Sequence, residues 1–174
     1  MLADAAADAL DRRVDLPSGG DLVFDYAEAF TVIDVNTGRF VGSRSKSSAG
    51  RLEDTITKNN LEAVKEVVRQ LRLRDIGGII VIDFIDMEKK PNQDRVFSAF
   101  KEALKRDKVK NNVLPMSEMG LIQMTRKRTR EPLTRILCEP CFYCEGEGYI
   151  ISRQSVCYMV YREILRNARD VFGE

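Results

Sequence analysis

The chain has 174 residues, of which 44% are hydrophobic and 32% are charged, and its 28 Lys and Arg against 27 Asp and Glu give a formal net charge of +1. This composition excludes an intrinsically disordered chain, a collagen-like chain and a membrane-embedded protein. The length suits one core with a small appendage, because domains usually span about 100–150 residues. The first nine residues lack the features of a secretory signal, and no apolar run approaches the roughly 20 residues of a membrane helix. We therefore expect a cytoplasmic protein without a membrane span.

The charged residues are distributed unevenly along the chain. Residues 1–30 carry seven acids and two bases, whereas residues 31–174 carry 26 bases and 20 acids. Residues 104–137 alone hold nine Lys or Arg and three Asp or Glu. Such a stretch is typical of a surface that follows a phosphate backbone, although a solvated charged face fits the charge pattern equally well.

The hydrophobic pattern predicts an α/β layered (α+β) domain. Residues 1–16 resemble a linker or the tail of a preceding subdomain, and the PSGG turn at 17–20 begins the main fold. Two hairpin-like strands follow at 22–26 and 30–36, then a loop at 41–51 and an amphipathic helix from 52 to 71. The apolar run IIVI at 79–82 is typical of a strand covered on both faces. The remaining predicted elements are a helix at 93–106, strands near 112–115 and 121–125, a Cys/Gly knuckle at 138–148 and a helix at 152–169.

Two acidic residues directly follow apolar strand segments. Asp34 follows Thr-Val-Ile, and Asp83 follows the IIVI run. If these strands are neighbours, both carboxylates lie at one edge of the sheet, where open α/β sheets bind ligands. A pair of carboxylates suits Mg²⁺, and Asn36, on the same strand face as Asp34, could orient one of them.

A structural role for Asp83 is the alternative. In that case its carboxylate caps a turn or pairs with Arg72 or Arg74, since a buried carboxylate needs a partner. Asp86 has the opposite strand parity from Asp83 and is a weaker candidate for the same metal. The chain contains no histidine, which excludes Ser-His-Asp, Cys-His and His-metal chemistry within it.

Three cysteines form a C-x₂-C-x₂-C pattern, Cys138, Cys141 and Cys144, and Cys157 follows 13 residues later. In a cytosolic chain this spacing favours a metal site over disulfides. Structural zinc takes four ligands, so the C-x₂-C pair is completed either by Cys138 and Cys157 or by the same pair of a second chain. An iron–sulfur cluster and free buried thiols are the remaining alternatives.

Several long motifs resemble the ribonuclease E/G family. They are LPSGG at 16–20, TVIDVNTGR at 31–39, NLEA at 60–63, RQLRLRDIGGIIVIDFIDM at 69–87, MTRKR at 124–128 and the knuckle at 141–148. The resemblance covers about residues 16–148. It implies a deoxyribonuclease-I-like catalytic subdomain over 17–136, a zinc-link knuckle over 137–149 and the helical start of a C-terminal small domain over 150–174. Family members also carry an upstream S1-type domain and a 5′-monophosphate sensor, so we expect this chain to be a fragment.

The resemblance also implies an activity and a set of site residues. The activity is Mg²⁺-dependent endonucleolytic cleavage of single-stranded RNA, in RNA processing or decay, to 5′-phosphate and 3′-hydroxyl ends. Asp34 and Asp83 would hold the magnesium, with support from Asn36. Cys141 and Cys144 would share one Zn²⁺ with their copies in a homodimer, and Cys138 is a further possible ligand. The basic residues predicted to contact RNA are Arg39, Lys110, Arg126, Lys127 and Arg128. The alternative function is a non-catalytic, zinc-dependent dimerisation and RNA-binding scaffold of a larger ribonuclease.

Overall fold

A six-stranded sheet and two long helices account for most of the chain before residue 138. The computed structural model describes residues 9–38 and 49–172, which divide into one unit up to residue 137 and a second from residue 138. The elements of the first unit are β1 (Arg13–Asp15), β2 (Asp21–Tyr26), β3 (Phe30–Asn36), α1 (Ala49–Leu73), β4 (Gly78–Asp83), α2 (Lys90–Leu104), β5 (Asn111–Val113), β6 (Leu121–Arg126) and α3 (Leu133–Leu137). The second unit contains the cysteine knuckle and α4 (Arg153–Phe172).

The strands lie in the order β1-β2-β3-β4-β6-β5. Only β3 and β4 pair in parallel, and every other neighbouring pair is antiparallel. A parallel pair needs a crossover connection, and α1 forms that crossover between β3 and β4. The two strands therefore end at the same edge of the sheet.

The hydrophobic core lies on one face of the sheet, between alternate strand residues and the apolar sides of α1 and α2. Along β4, Ile80 and Ile82 are fully buried, whereas Ile79 is 50% exposed on the opposite face. The expectation that this run is covered on both faces was therefore wrong. The burial of the residues alternates along this run although all of them are apolar. Both faces of the strand carry aliphatic side chains, but only one face lies under the helices.

The predicted order of strands and helices is otherwise confirmed, except that the structure adds the strand β1 and the short helix α3, neither of which the sequence predicted. Residues 13–15, predicted as part of a linker, form the edge strand β1 and pair with β2. This three-residue strand has one apolar residue, so it lacks the alternation that marks a strand in sequence. The predicted loop at 41–51 lies outside the described residues up to 48, and helix α1 begins at residue 49.

A buried ion pair joins the end of β6 to the loop after α2. The Arg126 guanidinium bonds both carboxylate oxygens of Asp107, at 2.7 and 3.2 Å, and donates to the Ile76 carbonyl at 2.9 Å. Both side chains of the pair are 3% exposed. Burial alone would raise the pKa of Asp107, but the hydrogen bonds from Arg126 and the Val109 amide outweigh it and hold the pKa below the usual range. Arg126 is thus a structural residue.

The described part of the chain has no helix that is both long and apolar enough to cross a membrane.

Removing the Asp107 carboxylate leaves the Arg126 guanidinium buried without its counter-charge. We expect Asp107→Ala to lower the free energy of unfolding by about 3–5 kcal/mol. Because the pKa of Asp107 is lowered in the folded state, the contribution of the pair is present above the usual aspartate pKa and is lost as the pH falls through the lowered value. Urea unfolding measures both effects. The exposed Glu102–Lys105 pair provides the control: Glu102→Ala should change stability by less than about 0.5 kcal/mol. Equal effects of the two substitutions would contradict the assignment.

Candidate active site

The two predicted acidic residues lie side by side at the carboxyl ends of β3 and β4. In the parallel register Asp34 is opposite Asp83, which is the last residue of β4. Both have the strand parity of the face without helices, because their neighbours Ile33 and Ile82 are fully buried in the core. The prediction that the two carboxylates lie next to each other at one end of the sheet is therefore confirmed.

Asn36 supports the pair as the sequence suggests. It lies two residues after Asp34 on the same face of β3, and its Nδ2 donates a 2.9 Å hydrogen bond to Asp34 Oδ2. The glycine turn before β2 packs closely against this strand end: a Cβ atom on Gly20 would lie 2.5 Å from the Asn36 carbonyl oxygen. The turn must carry glycine there, and this close approach fixes the backbone that bears Asn36.

The two strand ends border an open cavity of about 280 Å³. The lining residues are Asp34, Val35, Asn36, Thr37, Asp83, Phe84, Ile85 and Asp86. Three of them are acids and none is basic, so the cavity attracts cations. Asp86 borders the cavity, but no three acidic or thiol side chains in the described part of the chain lie close enough to share one ion. The carboxylates that the strand register sets beside each other are therefore Asp34 and Asp83, and they form the candidate ligand pair.

The pKa of Asp83 is raised above the usual aspartate value. Partial burial is the largest cause, and the charges of Asp34 and Asp86 add to it. None of the ion pairs in the described ranges includes Asp83. The alternative in which Asp83 pairs with Arg74 fails, because Arg74 is 1% exposed and lies 4.3 Å from the centre of the Phe24 ring. The exposed Arg72 has no ion-pair partner there either. Hard divalent cations take carboxylate oxygens, so the chemistry of this donor set fits Mg²⁺.

The five predicted basic residues differ in their surroundings. Lys110 and Lys127 line a second open cavity, of about 360 Å³, near the amino end of β4. Arg128 is exposed and crosses Gly77 and Gly78 at the start of β4, where a Cβ atom on Gly78 would lie 2.9 Å from its Nη2 atom. The prediction that Arg126 contacts RNA does not hold, because its guanidinium is buried against Asp107. Arg39 lies outside the described residues.

In the second unit, the knuckle brings Cys141 and Cys144 together. The Cys141 thiol accepts hydrogen bonds from the backbone amides of Tyr143 and Cys144 and interacts with the Cys144 thiol, which lowers its pKa. The Gly148 amide donates to Cys144 Sγ at 3.3 Å. The turn requires positive φ at Gly146 and Gly148, at 96° and 80°. Amides that point at sulfur stabilise thiolates, the form that binds metal.

The other two cysteines do not complete the knuckle. Cys138 and Cys157 are exposed, and the described residues contain no group of three or more ligands that includes either one. The structure thus brings two thiols together, which is half the number of ligands that a structural zinc ion takes. The sequence pattern could not show this, because C-x₂-C-x₂-C leaves the choice among the three thiols open.

Sequence reasoning missed the residues that hold the segment after β4. Asn60 and Glu53, both on α1, bond to the backbone of Ile85 and Lys89. Asn60 lies in one of the resembling motifs, but an isolated Asn on a helix gives no signal of the backbone it contacts.

Replacing Asp83 with Asn removes one of two neighbouring like charges. We expect Asp83→Asn to stabilise the fold by about 0.2–1 kcal/mol at neutral pH, as for like charges on paired strands. Because the folded state raises the pKa of Asp83, the gain is present above that raised pKa and disappears as the pH falls to the unfolded value, about 3.9. Thermal unfolding over a pH series measures it. The exposed acid Asp94 on α2 serves as the control, and an equal gain from Asp94→Asn would contradict the repulsion.

Comparisons with known proteins show which family the chain resembles. The model of the Ribonuclease E/G family matches residues 2–129, which include both strand ends. The chain is 48% identical over 158 residues to "Ribonuclease G" of Escherichia coli (strain K12), covering 91% of the chain and 31% of that protein. It is 47% identical over 163 residues to "Ribonuclease G" of Haemophilus influenzae, covering 94% and 32%. It is 41% identical over 144 residues to "Ribonuclease E" of Synechocystis sp., covering 83% and 20%.

The chain spans about a third of the length of these Ribonuclease G relatives. The family model nevertheless covers most of its length and includes Asp34, Asn36 and Asp83, the residues that converge at the sheet edge. The resemblance carried by the motifs is confirmed, and the chain belongs to the Ribonuclease E/G family.

Proposed function

We propose that this chain carries the catalytic centre of a Mg²⁺-dependent endoribonuclease that cleaves single-stranded RNA to 5′-phosphate and 3′-hydroxyl ends, in RNA processing or decay. The observation that carries the proposal is the parallel register that sets Asp34 beside Asp83. Two adjacent carboxylates in a cavity without a basic side chain suit a hard divalent cation. Relatives named Ribonuclease G and Ribonuclease E support RNA as the substrate. The cytoplasmic location expected from the sequence stays a prediction.

In this proposal each residue of the site has a separate role. Asp34 and Asp83 hold the ion, and the Asn36 amide fixes the Asp34 carboxylate through their 2.9 Å hydrogen bond. When bound, Mg²⁺ supplies Lewis-acid activation of the scissile phosphate and lowers the pKa of a coordinated water. The absence of a lysine or arginine from the lining keeps both carboxylates available to the cation.

The basic residues at the other end of β4 provide a second contact for the RNA. Lys110 and Lys127 line the cavity there, and Arg128 lies next to it. From Gly78 to Asp83 the strand runs about 17 Å, at about 3.3 Å per residue. A polyanion on the face without helices therefore meets positive charge at one end of β4 and the metal-binding carboxylates at the other. Phosphate contacts of this kind position a nucleic acid without reading its sequence.

We also propose that Cys141 and Cys144 bind half of a structural Zn²⁺ site, which a second copy of the chain completes. The lowered pKa of Cys141 and the amide donated to Cys144 favour the thiolate pair. Because two ligands are missing, a symmetric homodimer supplies the same pair again. The same pair of thiols also supports the second candidate function, in which the chain is a zinc-dependent dimerisation and RNA-binding scaffold without catalysis.

Cleavage assays separate the two functions. An end-labelled, 5′-monophosphorylated single-stranded RNA should be cut in the presence of Mg²⁺ but not with chelator. Asp83→Asn should reduce the rate by about 100-fold or more, since it removes charge from the centre that stabilises the transition state. Asp94→Asn, which changes an exposed acid outside the cavity, should leave the rate unchanged. Cleavage by Asp83→Asn at the parent rate would refute the catalytic assignment, whereas a folded parent that binds RNA without cutting it supports the scaffold.

Zinc analysis tests the knuckle. The double variant Cys141→Ser/Cys144→Ser should lose its zinc and elute as a monomer, because serine hydroxyls do not replace thiolate ligands. Cys157→Ser, which changes the exposed cysteine of α4, should keep both the zinc and the dimer. Elemental analysis with light scattering measures the two properties together. Zinc retained by the double variant would rule out this ligand pair, and loss of zinc from Cys157→Ser would place the site within one chain.

A further inference from the structure

We propose that Asn60 is a positioning residue for the candidate metal centre: its buried amide clamps the backbone at Ile85 and thereby fixes Asp83 and Asp86 at the cavity. This inference rests on the proposed function, because it concerns the same carboxylates. It adds a residue of α1 that lies outside the cavity lining.

The contact between Asn60 and Ile85 is reciprocal. Asn60 Nδ2 donates to the Ile85 carbonyl oxygen at 2.8 Å, and Asn60 Oδ1 accepts from the Ile85 amide at 3.1 Å. One side-chain amide therefore satisfies both backbone groups of a single residue. The Asn60 side chain is fully buried, so water does not compete for these bonds.

The segment that Asn60 holds needs such a clamp. Between the end of β4 at Asp83 and the start of α2 at Lys90, no residue belongs to a helix or strand. Backbone groups there must find partners outside the regular ladders. Phe84 and Met87 are buried in the core, and Ile85 lies between them. Asn60 thus fixes the segment two residues after Asp83 and one residue before Asp86.

The far end of the segment has its own anchors. The Glu53 carboxylate accepts from the Lys89 amide and from Asn92 Nδ2, both at 2.8 Å. Gln93 Nε2 donates to the Met87 carbonyl oxygen at 2.7 Å. These contacts hold residues 87–92. Asn60 supplies two side-chain hydrogen bonds to the backbone within residues 84–86.

Electrostatics explains why a neutral amide suits this position. The negative charges of Asp34 and Asp86 act on Asp83, so the lining carboxylates repel one another when no cation is bound. Left unrestrained, a segment without regular structure would move to separate them. The amide restrains the backbone without introducing a positive charge that would compete with a divalent cation. Binding is then stronger, because the ligands do not have to be reordered.

Metal titration with the 174-residue chain tests the inference without requiring catalysis. Mn²⁺, which is paramagnetic, replaces Mg²⁺ as the probe, and electron paramagnetic resonance measures its dissociation constant. Asn60→Leu removes both hydrogen bonds at similar volume, and we expect it to weaken Mn²⁺ binding by about 10-fold or more, as for other residues that orient metal ligands. Circular dichroism verifies that each variant is folded at the titration temperature.

Thr57→Val is the matched control. Thr57 is also buried on α1, one turn before Asn60, and its hydroxyl donates to the Glu53 carbonyl oxygen at 2.8 Å rather than to the segment after β4. Both variants lose buried hydrogen bonds of one helix, so a general loss of packing affects both. We expect Mn²⁺ binding of Thr57→Val within twofold of the parent.

The outcomes separate this inference from the proposed function. Asp83→Asn enters the same titration, and unchanged Mn²⁺ binding by that variant would refute the metal centre itself. If Asp83→Asn loses Mn²⁺ while Asn60→Leu binds it as the parent does, only the positioning role fails. Equal weakening by Asn60→Leu and Thr57→Val would also overturn that role. Should Asn60→Leu not fold, Asn60→Ala removes the same two bonds without an added apolar branch and takes its place.

Discussion

The parallel pairing of β3 with β4 is the constraint on which the candidate site depends. It places Asp34 directly beside Asp83, an arrangement that is unfavourable for two carboxylates in the absence of a cation. The sheet tolerates it because the opposite face of the same strands is packed under α1 and α2, with Ile33, Ile80 and Ile82 fully buried. The buried core on one face of the sheet therefore stabilises the fold, whereas the two carboxylates repel each other on the other face. In the proposed function, a bound divalent cation would offset that repulsion, which couples the proposed function to the fold.

Strand parity also determines what the basic residues do. Arg126 follows Ile122 and Met124 on the buried side of β6, where its guanidinium is compensated by Asp107 and a backbone carbonyl. Lys127, the next residue, is exposed at the opposite cavity. Three consecutive basic residues thus separate into one structural ion pair and two side chains available to a phosphate backbone. A charge count over residues 124–128 does not distinguish these roles, because the count ignores the face on which each side chain lies.

The sequence predicts those features that depend on local pattern. The amphipathic period of α1, the strand that ends at Asp83 and the C-x₂-C pair all follow from residues close together in the chain, and the adjacency of Asp34 and Asp83 follows once the two strands are neighbours. The burial of Arg126, the exposure of Ile79 and the contact of Asn60 with Ile85 do not, because each depends on the packing of distant segments. The ion pair shows this most clearly: Asp107 and Arg126 are 19 residues apart, and nothing in the sequence near either one identifies its partner. β1 was missed for a different reason, since a three-residue edge strand gains its stability from the neighbouring strand rather than from its own pattern.

The second unit contains the cysteine knuckle and helix α4. Its helix α4 leaves large apolar side chains exposed, namely Val156, Tyr158, Met159, Val160, Tyr161, Ile164 and Leu165. Its knuckle is ordered by amide–sulfur hydrogen bonds and positive-φ glycines rather than by apolar burial. A metal or a partner that binds only the folded state adds to the free energy of unfolding. A zinc ion shared between two copies would supply both at once. The thiol pair and the amides directed at its sulfur atoms therefore agree with the proposal of a shared zinc ion, whose binding would add to the stability of the second unit.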